Sequence, residues 1–203
     1  DFSVPYGCTA DTGTGSANLK MPAGTQAVHQ PRLENLQNWS VNINLNMVRK
    51  GCVTYVGFLK DKTPTGNSSS DPDNGIVLKL FNRPAAGDNR THILLTMDGK
   101  TMTYGAYEPA IVDADYFTLS VVKASDGHYY LQISWTSGKV LVKFDRTNAL
   151  YRHLLADSLV ENGAYFTVTT NYASDVDLEF VYEEKQDVFE DTAAATAFIL
   201  ELE

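Results

Sequence analysis

The chain has 203 residues, 43% of them hydrophobic and 20% charged, a balance that suits one large globular domain spanning 1–203. With no run of about 18 apolar residues, membrane insertion is not expected. The net charge of −9, from 25 acidic and 16 basic residues, opposes a phosphate backbone and argues against nucleic acid as a partner.

Near the start, Asp11-Thr12-Gly13 has the form of an aspartic-protease tripeptide but occurs once and reads as a turn. Cys8 and Cys52 lack metal-ligand spacing, so either one disulfide or two buried thiols fits them. From Trp39 the pattern changes. In Trp39-Ser40-Val41-Asn42-Ile43-Asn44-Leu45-Asn46-Met47 every second residue is large and apolar, and the residues between are Ser and three Asn. A strand sends alternate side chains to opposite faces, so this pattern predicts a half-buried strand.

Further strands are predicted over Val53–Leu59, Ile76–Phe81 and His92–Met97, the last ending at the turn Asp98-Gly99. Tyr116–Lys123 and Tyr129–Trp135 flank Asp126-Gly127 as a hairpin, and Ser137-Gly138 leads into Val140–Phe144. Tyr165–Asn171 and Val176–Tyr182 complete the set. Helix is expected only in short pieces, over Asn148–Leu159 and Asp191–Phe198, and the latter, which runs on into Ile199-Leu200, also fits a terminal strand. Many short strands, frequent turns and no internal repeat predict an all-β sandwich or barrel.

Catalytic signatures are sparse. His29, His92, His128 and His153 are scattered, and no Gly-x-Ser-x-Gly elbow occurs. Asp175, Asp177 and Glu179 have i, i+2, i+4 spacing, which places three acids on one strand face. In the loop Asp61–Gly75, Asp71 and Asp73 offer oxygen ligands suited to calcium, although their spacing differs from the D-x-D-x-D-G pattern and also fits a plain turn.

The polar alternation supplies another candidate surface. It comprises Asn42 and Asn44 (with Asn46), then Tyr130 and Gln132 (with Ser134), then Tyr165, Thr167 and Asn171 (with Thr169). Amides and hydroxyls pair with sugar hydroxyls, and a tyrosine ring stacks on the apolar face of a pyranose. Tyr104 and Tyr107 are expected to rim a cleft, and Trp39 and Trp135 fall on the core-facing alternation.

Tyr116-Phe117-Thr118-Leu119-Ser120-Val121, Asp126–Ile133 and Asn162-Gly163-Ala164-Tyr165-Phe166-Thr167-Val168-Thr169, followed by Val176–Phe180, resemble the second half of the concanavalin A-like lectin/glucanase superfamily. The resemblance covers residues 116–182. It implies a jelly-roll β-sandwich of two antiparallel sheets whose concave face holds saccharide. Enzymes of that superfamily carry an E-x-D-x-E strand motif; Asp175 stands where the first Glu would be. The leading expectation is a non-catalytic, lectin-like carbohydrate-binding module. It would bind polysaccharide as part of a larger multimodular protein, secreted or on the cell surface. A glycoside hydrolase or lyase of the same fold, and an adhesion or structural module without a small ligand, are the alternatives.

Overall fold

Alternation is carried into three dimensions wherever one face of a strand meets the core. Val41, Ile43 and Leu45 are buried, whereas Ser40, Asn42 and Asn44 are half-buried or exposed. The same division runs along the C-terminal strand, with Val176 and Leu178 inside and Asp175, Asp177 and Glu179 exposed. The fold was obtained as a computed structural model. It describes residues 2–3, 9–13, 15–45, 53–61, 75–82, 91–97, 100–102, 110–111, 116–123, 129–136, 138–143, 160 and 162–184.

The strands are β1 (Phe2–Ser3), β2 (Thr9–Thr12), β3 (Ser16–Met21), β4 (Thr25–His29), β5 (Trp39–Leu45), β6 (Val53–Leu59), β7 (Gly75–Asn82) and β8 (Thr91–Met97). They continue as β9 (Lys100–Met102), β10 (Ala110–Ile111), β11 (Tyr116–Lys123), β12 (Tyr129–Trp135), β13 (Gly138–Lys143), β14 (Tyr165–Thr170) and β15 (Ser174–Tyr182). A 3-10 turn at Leu36–Asn38 precedes β5. The helical stretches expected at Asn148–Leu159 and Asp191–Phe198 lie outside the described residues.

Two antiparallel sheets form a β-sandwich of the jelly-roll class. One has eight strands in the order β1-β4-β14-β6-β7-β8-β10, with β9 on β8. The other has seven, in the order β13-β12-β11-β5-β15-β3-β2. Ala27, Val56, Phe58, Leu78, Phe166 and Val168 of the first sheet share one core with Leu19, Ile43, Phe117, Leu131, Val176 and Leu178 of the second. Trp39 and Trp135 pack against its margin, as the alternation predicted.

Aromatic rings link the layers. Phe166 packs edge-on against Phe58 of its own sheet, at 6.3 Å between centroids, and against Phe180 of the other, at 5.5 Å. His29 then stacks on Phe180 at 4.3 Å and 17°. At the opposite end of these strands the chain crosses between sheets from β3 to β4 and from β14 to β15, and the Gly24 amide donates to the Thr170 carbonyl at 2.9 Å. The approach to β14 is fixed in a similar way. Leu33 and Ala164 exchange backbone hydrogen bonds, and Gly163 adopts φ 84° where an added Cβ would overlap the Leu33 carbonyl.

Two expectations follow from this packing. Truncating Phe166, which is fully buried between the sheets, should cost about 3–5 kcal/mol of unfolding free energy in a urea titration of Phe166→Ala. His29 supplies a pH dependence. Burial lowers its pKa from 6.5 to about 4, so the unfolded chain takes up this proton at higher pH than the folded one. The stability contributed by the neutral ring is therefore complete above pH 6.5 and declines as pH falls towards 4. Urea midpoints measured across that window should fall less steeply in His29→Gln than in the parent; equal slopes would show that His29 is not the group responsible.

Candidate functional site

Side chains on directly paired residues point to the same side of a sheet, so the register assembles the surfaces. On the outer face of the seven-stranded sheet, Tyr116 pairs with Asn44, Asn44 with Asp177, and Asp177 with Asn18. The next row holds Ser134, Thr118, Asn42, Glu179 and Ser16.

Within these rows amides alternate with carboxylates. Asn18 Nδ2 donates to Asp175 Oδ1 and to Asp177 Oδ1, both at 2.7 Å. Lys20 Nζ pairs with Asp175 Oδ2 at 3.0 Å. The Asn18 and Lys20 contacts hold the Asp175 carboxyl below its ordinary value of 3.8. Asn42 Nδ2 donates to Glu179 Oε2 at 3.0 Å, while Thr118 Oγ1 donates to Asn42 Oδ1 at 2.6 Å. One hydrogen of the Asn42 amide and a lone pair of its oxygen remain outside these two bonds.

This face has an open half and a covered half. Asn44, Asp175, Asp177 and Glu179 are exposed, and the Tyr116 ring beside them is 50% exposed. Towards β12 and β13, Ser120, Val122, Tyr130 and Leu141 are buried. Tyr130 belongs to a small apolar cluster with Val122 and Leu141, and at 0% exposure it is a packing residue, not a sugar platform. Gln132 is half-buried beside it.

The third expected row lies elsewhere. Tyr165, Thr167 and Thr169 point outward from β14, which belongs to the eight-stranded sheet, so they cannot line one surface with Asn42 and Asn44. Thr167 is fully buried; its hydroxyl accepts from Gln26 Nε2 at 3.1 Å and donates to the Ala27 carbonyl at 2.9 Å. Tyr165 is half-buried against Val28, Tyr55, Leu59 and Val77. Asn171 Oδ1 accepts the Val53 amide at 2.7 Å and so pins the end of β6.

The surface residues not foreseen as ligand contacts are Tyr116, Thr118 and Asn18. Tyr116 shares parity with Thr118 and Ser120, which is the signal available in the sequence, but its adjacency to Asn44 depends on the β11–β5 register. Tyr104, Tyr107, Asp71 and Asp73 lie outside the described residues. Among the described residues, no group of three or more His, Cys, Asp or Glu side chains is arranged to hold a metal ion.

No protein-family profile and no curated protein matches the sequence. Among solved structures, the carbohydrate recognition domain of Emp46p in its metal-free form superimposes with a TM-score of 0.49 and 10% identity. That match covers 89% of this chain and 87% of the other. A protein of unknown function with a galectin-like fold from Bacillus subtilis superimposes with a TM-score of 0.41 and 11% identity, covering 90% of this chain and 86% of that one.

Proposed function

We propose that the chain is a non-catalytic carbohydrate-binding module that holds polysaccharide on the open half of the outer face of the seven-stranded sheet. The observation that carries this reading is the row Tyr116–Asn44–Asp177, in register across three strands and exposed along its length. A half-exposed phenol ring offers a stacking surface for a pyranose. Asn44 supplies donors and an acceptor, Asp177 supplies a charged acceptor, and Asn42 extends the set from the adjoining row. Strands lie about 4.8 Å apart, so the row spans about 10 Å, a length suited to an extended chain more than to a single enclosed ring.

The carboxylates favour binding over hydrolysis. A glycosidase sets one acid on each side of the scissile bond and raises the pKa of its proton donor. Here Asp175 stands in place of the first Glu of the strand motif, the acids are tied to Asn18, Lys20 and Asn42, and the Asp175 pKa is lowered. In this reading the module serves a secreted or cell-surface protein, with its ligand drawn from plant or host polysaccharides.

Native affinity electrophoresis against soluble polysaccharides tests the reading. One polymer class should retard the parent chain, and Tyr116→Ala or Asn44→Ala should weaken that retardation on the order of tenfold, the effect of losing about 1.4 kcal/mol. No retardation by any polymer, or equal retardation of the Tyr116→Ala chain, would overturn it. Running the gels with calcium and with chelator extends the test to Asp71 and Asp73, because loss of retardation in chelator would assign the expected calcium a part in binding.

A further inference from the structure

The groups left open along the Tyr116 row are rich in acceptors. Asp177 Oδ1 and Glu179 Oε2 receive amide hydrogens from Asn18 and Asn42. Asp177 Oδ2 and Glu179 Oε1 stand outside these bonds, on exposed side chains. Asn18 gives one amide hydrogen to Asp175 and the other to Asp177, so it has none for a ligand.

The cations of this face do not balance the two acids. Lys20 Nζ lies 3.0 Å from Asp175 Oδ2, at the other end of the acidic strand face from Glu179. Lys139 shares a cross-strand row with Glu179, but Ser134, Thr118 and Asn42 stand between them. Strands lie about 4.8 Å apart, so four spacings put the two about 19 Å from each other. That is about twice the Debye length at physiological salt. Lys143 is on the same distant edge strand, β13, and among the described residues no other Lys or Arg takes an outward position on this sheet.

We propose that the site selects neutral polysaccharide and rejects uronate- or sulfate-bearing polymers, with Asp177 and Glu179 as the discriminating groups. This rests on the reading of the Tyr116 row as a saccharide site and adds the class of polymer. A sugar hydroxyl can donate to the open carboxylate oxygens, whereas an ionised carboxylate or sulfate has no hydrogen to give and carries a like charge. Such a charge held against either acid should weaken binding on the order of tenfold at low salt.

Hydroxyethyl cellulose against carboxymethyl cellulose, and methyl-esterified pectin against its de-esterified form, are the probes, each pair sharing a backbone. Calorimetric titration gives the ratio of anionic to neutral Kd within a pair. For the parent this ratio should be on the order of tenfold at about 0.01 M NaCl and smaller at about 1 M, where the Debye length falls from about 30 to about 3 Å. In Asp177→Asn/Glu179→Gln it should drop to within about twofold of unity, because the amides keep a carbonyl oxygen for the Asn18 and Asn42 donors but lose the charge. Asp61→Asn/Glu184→Gln removes the same charge from exposed positions off the row and should keep the parent ratio. A parent that binds an anionic member as tightly as its neutral partner would overturn the proposal and leave the saccharide reading standing. A ratio that salt does not reduce, or one lost equally in Asp61→Asn/Glu184→Gln, would overturn it too, the latter by assigning rejection to the net charge of −9. Absence of binding to every member would overturn the proposal together with the saccharide reading.

Discussion

Phe166 holds the structure together because it serves both sheets. Its ring is fully buried, edge-on to Phe58 on one side and to Phe180 on the other. Placing one ring at the seam fixes the pleat of β14: Phe166 and Val168 must point inward, so Tyr165, Thr167 and Thr169 must point outward. It also fixes β15, since Phe180 inside puts Asp177, Glu179 and Val181 outside. A one-residue slip in either strand would send its whole apolar set to the other face. The side of the sandwich on which each outward residue lies therefore follows from core packing.

Strands with one wet face were legible in the sequence. β5 and β15 alternate cleanly, and their inward and outward residues fall where the pattern placed them. β3 and β4 were not foreseen, for two physical reasons. β3 carries only Ala17, Leu19 and Met21 on its core face, and the small Ala17 weakens the signal. In β4, Thr25, Gln26, Ala27 and Val28 are all buried, so both faces are covered and no polar alternation remains to detect. Parity within a strand shows which residues share a face, but it cannot show which sheet the strand joins. That is why Asn42 and Thr167, alike in sequence pattern, lie on opposite sides of the sandwich. It is also why Tyr130, outward by parity, is nevertheless packed between Val122 and Leu141.

Charge separates the two outer faces. On the strands for which side chains are described, the acids Asp175, Asp177 and Glu179 all belong to the seven-stranded sheet. Like charges two residues apart on one strand face repel, and Asn18 relieves this by donating one amide hydrogen to Asp175 and the other to Asp177. Lys20 offsets Asp175 directly; both partners are largely exposed, so the pair adds little to stability. The described outer face of the eight-stranded sheet carries Lys79 and the buried Gln26, Thr167 and Thr169 among apolar residues. The two faces thus differ in kind: one is acidic and partly exposed, the other is largely buried and sparing in polar groups.

That difference also sorts the polar residues of the wet face into scaffold and contact. Asn18 spends both amide hydrogens on the carboxylates, so its role is to hold Asp175 and Asp177 in place. Asn42 is fixed from two sides by Thr118 and Glu179 but keeps a hydrogen and a lone pair. Asn44 and Tyr116 stand in register at the β5 and β11 end of the row. A ligand bound there would meet acceptors whose side-chain entropy was already lost in folding, which lowers the cost of association. In the proposed site this preorganisation belongs to Asp177, Asn42 and Glu179, whose side chains are joined to Asn18, Thr118 and one another. The ladder of Asn18, Asp177, Asn42 and Glu179 would thus present ordered polar groups beside Tyr116 and Asn44 in that site.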